Sequence, residues 1–256
     1  MFKTLLSSTL LFFFCLGFAS KKDAEIKTHV ASVSQKLLNK TEDPLVILVE
    51  NAHKSYDTKP LKIALDYYKK NLKSFNSEGL CLNSDNKNNR KRIRNSNCLV
   101  VADYTKPKLT KRLLVLNPIT GESELFYTAH GKGSNVPSKR ETGLNAVRFS
   151  NTSGSNMTSL GFYLTDHLYN SQKDTFGPGP KNGLKLDGLN CTNNKARKRY
   201  IVMHTARYVP PKNSLEPKVG NSEGCVTLPK ERKDILERCK DGALVYAHGN
   251  TKAKFL

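Results

Sequence analysis

The chain has 256 residues, 38% of them hydrophobic, which is enough for one substantial domain with a small appendage and too few for a protein of many membrane spans. Its mean hydropathy of −0.52 demands a very polar surface. Against 22 Asp and Glu stand 42 Lys and Arg, a formal charge of +20 that favours anionic partners: nucleic acid inside a cell, wall carboxylates, lipid head groups or acidic polymers outside it. The cations are spread along the chain, densest at 87–94 and 195–199, so a solvated basic surface fits as well as a specific polyanion site.

Residues 1–19 read as a secretory signal peptide: Lys3, an apolar run over 5–18, and a small-x-small end at Gly17-Phe18-Ala19. The run is shorter than the roughly 20 residues that span a bilayer; an uncleaved anchor helix is the alternative. Bulky Phe12, Phe13 and Phe14 before Cys15 argue against a lipoprotein. Residues 20–96 are expected as a helical N-terminal segment with a basic loop. In it, 24–38 has an irregular helical spacing, and 61–75 is a clearer amphipathic helix with Leu61, Leu65, Tyr68, Leu72 and Phe75 on one stripe. Asn, Lys and Arg fill 83–97, an exposed loop.

From residue 97 to 256 the pattern turns to strands. Short β-rich runs occupy 98–103, 112–117, 124–128, 160–165, 184–186, 200–204 and 243–248, with a hairpin-type turn at 117–121. Residues 230–240 read as a helix. The fold class is therefore mainly β (α+β), with a few peripheral helices. Two aperiodic stretches, 131–159 and 170–183, are long enough to be lids or binding loops.

Loss of the leader leaves Cys81, Cys98, Cys191, Cys225 and Cys239. In an oxidising compartment thiols pair, and an odd count leaves one over as a reactive candidate. Three connectivities are open for two disulfides; Cys81–Cys98, closing the basic loop, with Cys191–Cys239 is the one expected.

The informative segment is Gly220-Asn-Ser-Glu-Gly-Cys225-Val226. Gly224 permits a tight turn before Cys225 and exposes backbone N–H groups to an oxyanion. A thiol needs a base or a positive field to become a good nucleophile, and His204 ends a strand 21 positions upstream. Taken alone, the pair reads more readily as a half-cystine and a core histidine.

From residue 61 onward the chain resembles the murein L,D-transpeptidase catalytic-domain family, a divergent branch of the YkuD-type enzymes. The resemblance is carried by Val101-Ala-Asp-Tyr-Thr-Lys-Pro107, Ala129-His-Gly-Lys-Gly-Ser134, Ser159-Leu-Gly-Phe-Tyr-Leu-Thr165, Leu186-Asp-Gly-Leu189, Ile201-Val-Met-His204 and Ser222-Glu-Gly-Cys225, in order. It implies a largely β catalytic domain over 97–256, a Cys225 nucleophile with His204 as its base, Gly224 and Ser222 shaping the oxyanion loop, and no metal or organic cofactor. It further implies acyl transfer from a diaminopimelate (or Lys)–D-Ala stem of peptidoglycan to an amine, giving a 3–3 cross-link. Water in place of the amine gives a carboxypeptidase or endopeptidase.

His130, Tyr163 and Arg207 are candidates for substrate contact or orientation, and Asp187 is a candidate to orient His204, each with a plain structural alternative. Two positions depart from the common Ser-His-Gly-Cys-x-Arg pattern: Glu223 replaces its histidine and Thr227 its arginine.

Three rivals remain open. A zinc hydrolase built on His130, His204 and His248 lacks close ligand pairs. A non-catalytic wall-binding module would have no use for Cys225 and His204. A nucleic-acid binder has no basic-aromatic motif.

Overall fold

The computed structural model describes residues 43–73, 81, 92–139, 142–173 and 175–250. The leader and the helix expected over 24–38 lie outside them, as does most of the basic loop. The chain divides into two compact units, 1–44 and 45–256; of the first only Asp43 and Pro44 are described.

Among the described residues eight strands form one mixed sheet. They are β1 (Leu99–Asp103), β2 (Leu113–Leu116), β3 (Ser123–Phe126), β4 (Gly161–Tyr169), β5 (Gly183–Gly188), β6 (Val202–Ala206), β7 (Val226–Pro229) and β8 (Leu244–His248). Their order is β3-β2-β1-β8-β4-β5-β6-β7. Two antiparallel meanders, β1–β2–β3 and β4–β5–β6, flank β8, which runs parallel to β1 and antiparallel to β4. The outermost strand, β7, is parallel to β6. The sheet nearly closes on itself: beyond β3, Gly131 bridges Ser222, the Ser222 N–H donates to the His130 carbonyl at 2.9 Å, and the Lys132 N–H donates to the Ser222 carbonyl at 2.8 Å.

Both faces of the sheet are covered at β1 and β2, which is why these two strands read as continuous apolar runs rather than alternations. Val100, Ala102, Leu113 and Val115 share one core with Met203, Val226 and the short helix α3 (Lys233–Arg238), which contributes Ile235 and Leu236. Their neighbours Leu99, Val101, Leu114 and Leu116 face the other way, against α1 (Pro44–Ala52) and α2 (Lys59–Lys73). Each fully buried Leu or Val contributes on the order of 1.5–3 kcal/mol. On α2 the stripe buries Leu61, Leu65 and Tyr68, while Leu72 stays 37% exposed; Phe75 lies outside the described residues.

Seven expected strands are present with ends moved by one to four residues. Two elements had no clear sequence signal: α1, and β7, whose four residues directly follow the cysteine motif. The strand expected from Tyr200 starts at Val202, because Tyr200 takes φ +56°. This left-handed conformation is rare for a bulky residue. It closes a turn in which the Ile201 N–H donates to the Ala196 carbonyl at 2.9 Å.

The disulfide pairing differs from expectation. The bonds are Cys81–Cys191 and Cys98–Cys239, with Cα separations of 4.7 and 5.2 Å, within the range a disulfide spans. Parallel pairing of Leu99 with Leu244 puts the residues before β1 beside those before β8, so Cys98 meets Cys239. Cys81 is held near Cys191 by its N–H, which donates to the Leu189 carbonyl at 3.1 Å.

Candidate active site

Strand register brings His204 and Cys225 together. Met203 pairs with Val226 and His204 with Thr227, so Cys225, just before β7, follows on beside Val202. Alternate residues share a face. Met203 and Val226 point into the main core; on the opposite face Val202 and Cys225 cluster with Phe176. His204 is on that face too, its ring stacked on Phe176 with centroids 3.6 Å apart.

The imidazole is 2% exposed, and its Nδ1 lies 2.8 Å from the Thr205 carbonyl. A carbonyl only accepts, so Nδ1 carries the proton and donates it, leaving the lone pair on Nε2. Burial pulls the His204 pKa down to about 4, against the carbonyl bond, which raises it; nearby Lys173 lowers it further. The ring is therefore neutral at physiological pH.

Cys225 is the one free cysteine among the described residues. Burial pushes its pKa up to about 11, opposed by a backbone bond from Val202 and by Lys173 and Arg199, and reinforced by Glu223. Its thiol donates to the Tyr200 carbonyl at 3.8 Å. A protonated thiol and a neutral imidazole with an accepting nitrogen thus line the same cleft, a combination that general-base activation of a thiol requires.

The loop before Cys225 is held from inside. Ser222 Oγ accepts from the Gly224 N–H at 3.1 Å and donates to the Cys225 carbonyl at 3.0 Å. Gly224 sits at φ +115°, where a Cβ would stand 2.6 Å from the Met157 carbonyl oxygen, so glycine is required twice over. Its N–H is engaged by Ser222, so in this structure Gly224 shapes the loop.

A cleft of about 920 Å³ opens over the pair, lined by Lys132, Lys173, Phe176, Arg199, Tyr200 and Glu223 among others. A groove of about 810 Å³, carrying Lys185, Arg197 and Lys198, shares Tyr169, Tyr200 and Ile201 with it. Most of these residues had no sequence signal of their own. Lys132, Lys173 and Phe176 do come from the two aperiodic stretches, whose length was the available clue. Among the described residues no three His, Cys, Asp or Glu side chains come together as a metal site.

A family model of the L,D-transpeptidase catalytic domain matches residues 66–248. The chain belongs to the L,D-transpeptidase catalytic-domain family. No curated protein matches it significantly. Among solved structures, it is similar to Bd1075 of Bdellovibrio bacteriovorus (13% identity, TM-score 0.33, 59% of this chain and 47% of that one). It is also similar to an L,D-transpeptidase from Mycobacterium tuberculosis H37Rv (14%, TM-score 0.31, 60% and 58%). The chain thus spans about half the length of these relatives.

Within this family member, the remaining expected residues separate. Tyr163 is 1% exposed and donates to the Ser159 carbonyl at 2.7 Å, so it packs in the core and lines no part of the cleft. Arg207 is exposed at a neighbouring polar pocket that shares Lys173 and Phe176 with the cleft. His130 is fully buried in the seam between Arg112 Nη2 at 2.9 Å and Asn135 Oδ1 at 2.6 Å. Asp187 does not orient His204: both its oxygens accept from Arg197.

The two departures from the common family pattern have distinct surroundings. Thr227 Oγ1 accepts from the Ala129 N–H at 2.8 Å, and the Thr227 N–H donates to Thr128 Oγ1 at 3.2 Å, tying β7 to the stretch beyond β3. Glu223 is exposed at the cleft, 3.9 Å from Lys132 and 3.5 Å from Lys173.

Proposed function

We propose that this chain is an exported cysteine enzyme that modifies peptidoglycan, with Cys225 as nucleophile and His204 as its base. The observation that carries the reading is the His204 tautomer: Nδ1–H fixed on the Thr205 carbonyl, with the Nε2 lone pair on the sheet face that carries the Cys225 thiol.

His204 Nε2 takes the thiol proton as Cys225 Sγ bonds to the carbonyl carbon of a diaminopimelate–D-Ala (or Lys–D-Ala) bond. The Cys225 N–H is the backbone donor nearest the developing oxyanion. Collapse breaks the C–N bond, and His204 returns the proton to the departing D-Ala amine, leaving a thioester. An amine from a second stem, deprotonated by His204, then forms a 3–3 cross-link; water in its place gives a shortened stem. Ser222 and Gly224 hold the loop that aims Cys225. Two disulfides suit an oxidising compartment outside the cytoplasm. No helix among the described residues is long and apolar enough to cross a membrane.

The test is intact-protein mass spectrometry with purified muropeptides beside Cys225→Ala. A tripeptide acyl adduct on the unaltered chain alone supports the reading, and dimers or tripeptides among the products distinguish transfer from hydrolysis. Absence of adduct and of product with stems of several kinds would sink it.

A further inference from the structure

Three loops that meet at the cleft bring one carboxylate and two ammonium groups together. Lys132 follows β3, Lys173 lies between β4 and β5, and Glu223 stands two residues before Cys225; all three line the cleft over the nucleophile. Glu223 Oε1 faces Lys132 at 3.9 Å and Oε2 faces Lys173 at 3.5 Å, one cation to each oxygen. Arg199, the third cation of the cleft, is committed elsewhere: it donates to the carbonyls of Ser150 and Met157 and to Ser159 Oγ.

We propose that Glu223 is a resident carboxylate that keeps Lys132 and Lys173 poised across the cleft, and that an anionic carboxylate of the substrate displaces it to bind the same two lysines. This rests on the wall-stem reading above, and adds that the cleft recognises a side carboxylate of the stem at these two lysines.

The pairing is suited to exchange. Both contacts are long, and the side chains are 58% exposed for Glu223 and 66% for Lys173, conditions under which ion pairs are weak and readily broken. Displacement swaps one carboxylate for another, so the lysines are never left without a counter-charge. On a chain of net charge +20, a bare lysine pair beside Cys225 would attract any polyanion. Glu223 raises that threshold, so an anion must bring further contacts along the cleft to stay bound. This is selectivity by a built-in competitor.

Binding measured by calorimetry in the non-acylating Cys225→Ala background separates this proposal from the chemistry. The probes are the diaminopimelate tetrapeptide and the same peptide with its D-Glu α-carboxyl and diaminopimelate side carboxyl amidated. Glu223→Gln should tighten the acidic peptide about three- to fivefold, the scale of an exposed ion pair, and Lys173→Met should weaken it by a similar factor. In the double variant the gain from Glu223→Gln should shrink, because the two residues act on one contact. The amidated peptide should respond to neither change.

Unchanged or weaker binding by Glu223→Gln, or an equal response of the amidated peptide, overturns the proposal. If the unaltered chain still forms a thioester, only the role of Glu223 falls. If no peptide binds and no thioester forms, the wall-stem reading falls with it.

Discussion

Two histidines are buried on opposite sides of the line where the sheet nearly closes, and they differ in what their second nitrogen does. His204, in the cleft, has Nδ1 on a carbonyl and an aromatic ring against its face. His130, in the seam, has both nitrogens engaged, Nδ1 accepting from Arg112 and Nε2 donating to Asn135. Both are held neutral: His204 falls to about 4 and His130 to about 3, burial being the main cause in each. A depressed pKa therefore does not distinguish the two. The number of engaged nitrogens does: both are bonded in His130, and in His204 it is Nδ1 that is held, which is what the proposed base requires.

Substitutions should pull the two regions apart. The largest effect is expected from His204→Asn: a loss of about 10³- to 10⁴-fold in kcat/KM, the upper range for a general base, with a folded chain, read by the rate of muropeptide turnover. A comparable loss from His130→Asn would erase the distinction. Its expected effect is on stability instead, about 2–4 kcal/mol in denaturant unfolding, because Arg112 loses a buried acceptor.

Gly224→Ala should lower both readouts, by about 2 kcal/mol and at least tenfold in rate, since its Cβ would meet the Met157 carbonyl at a φ that alanine resists.

Acid should expose what the histidines share. The unfolded chain binds protons at each histidine below its ordinary pKa of 6.5, and the folded chain refuses them down to about 4 and 3. Stability is thus full above pH 6.5 and falls as pH drops, by about 2 kcal/mol per histidine between pH 6.5 and 5. Thermal melts across that range should show the slope, to which His248, its pKa also lowered by burial, adds, and His130→Asn should remove the share that His130 contributes. The smallest effect, about 1–2 kcal/mol, is expected from Thr227→Val, which leaves the Ala129 N–H without its acceptor.

The sheet was legible wherever strands were covered on both faces, because 99–103 and 113–116 are apolar at every position but the last of β1. The strand β7 was hidden by its own motif: Val226 and Thr227 read as the tail of a catalytic loop, and Pro229 argues against a strand. The disulfide pairing was not legible, since it follows from the parallel neighbourhood of β1 and β8, segments about 140 residues apart. In the site, Cys225 and His204 were visible as residue types. Phe176, Lys173 and Tyr200 reach the cleft through loop geometry that no periodicity announces. Tyr163 and Asp187 misled for the opposite reason: an aromatic on a strand and an Asp before Gly look the same whether they serve a cleft, a core or an ion pair.

The place of β8 has a consequence for the order in which this protein comes into being. It is the last strand among the described residues and a central one in the sheet, pairing β1 on one side and β4 on the other. A ribosome or an export channel releases residues in sequence, so the two meanders emerge early but wait for a late segment to join them. Contacts this distant in sequence slow folding. Cys98 must remain an unpaired thiol until Cys239 arrives. During that interval it can meet Cys81 or Cys191 instead, so a thiol–disulfide isomerase, or an oxidant slow enough to let β8 dock first, should raise the yield of correctly bonded protein.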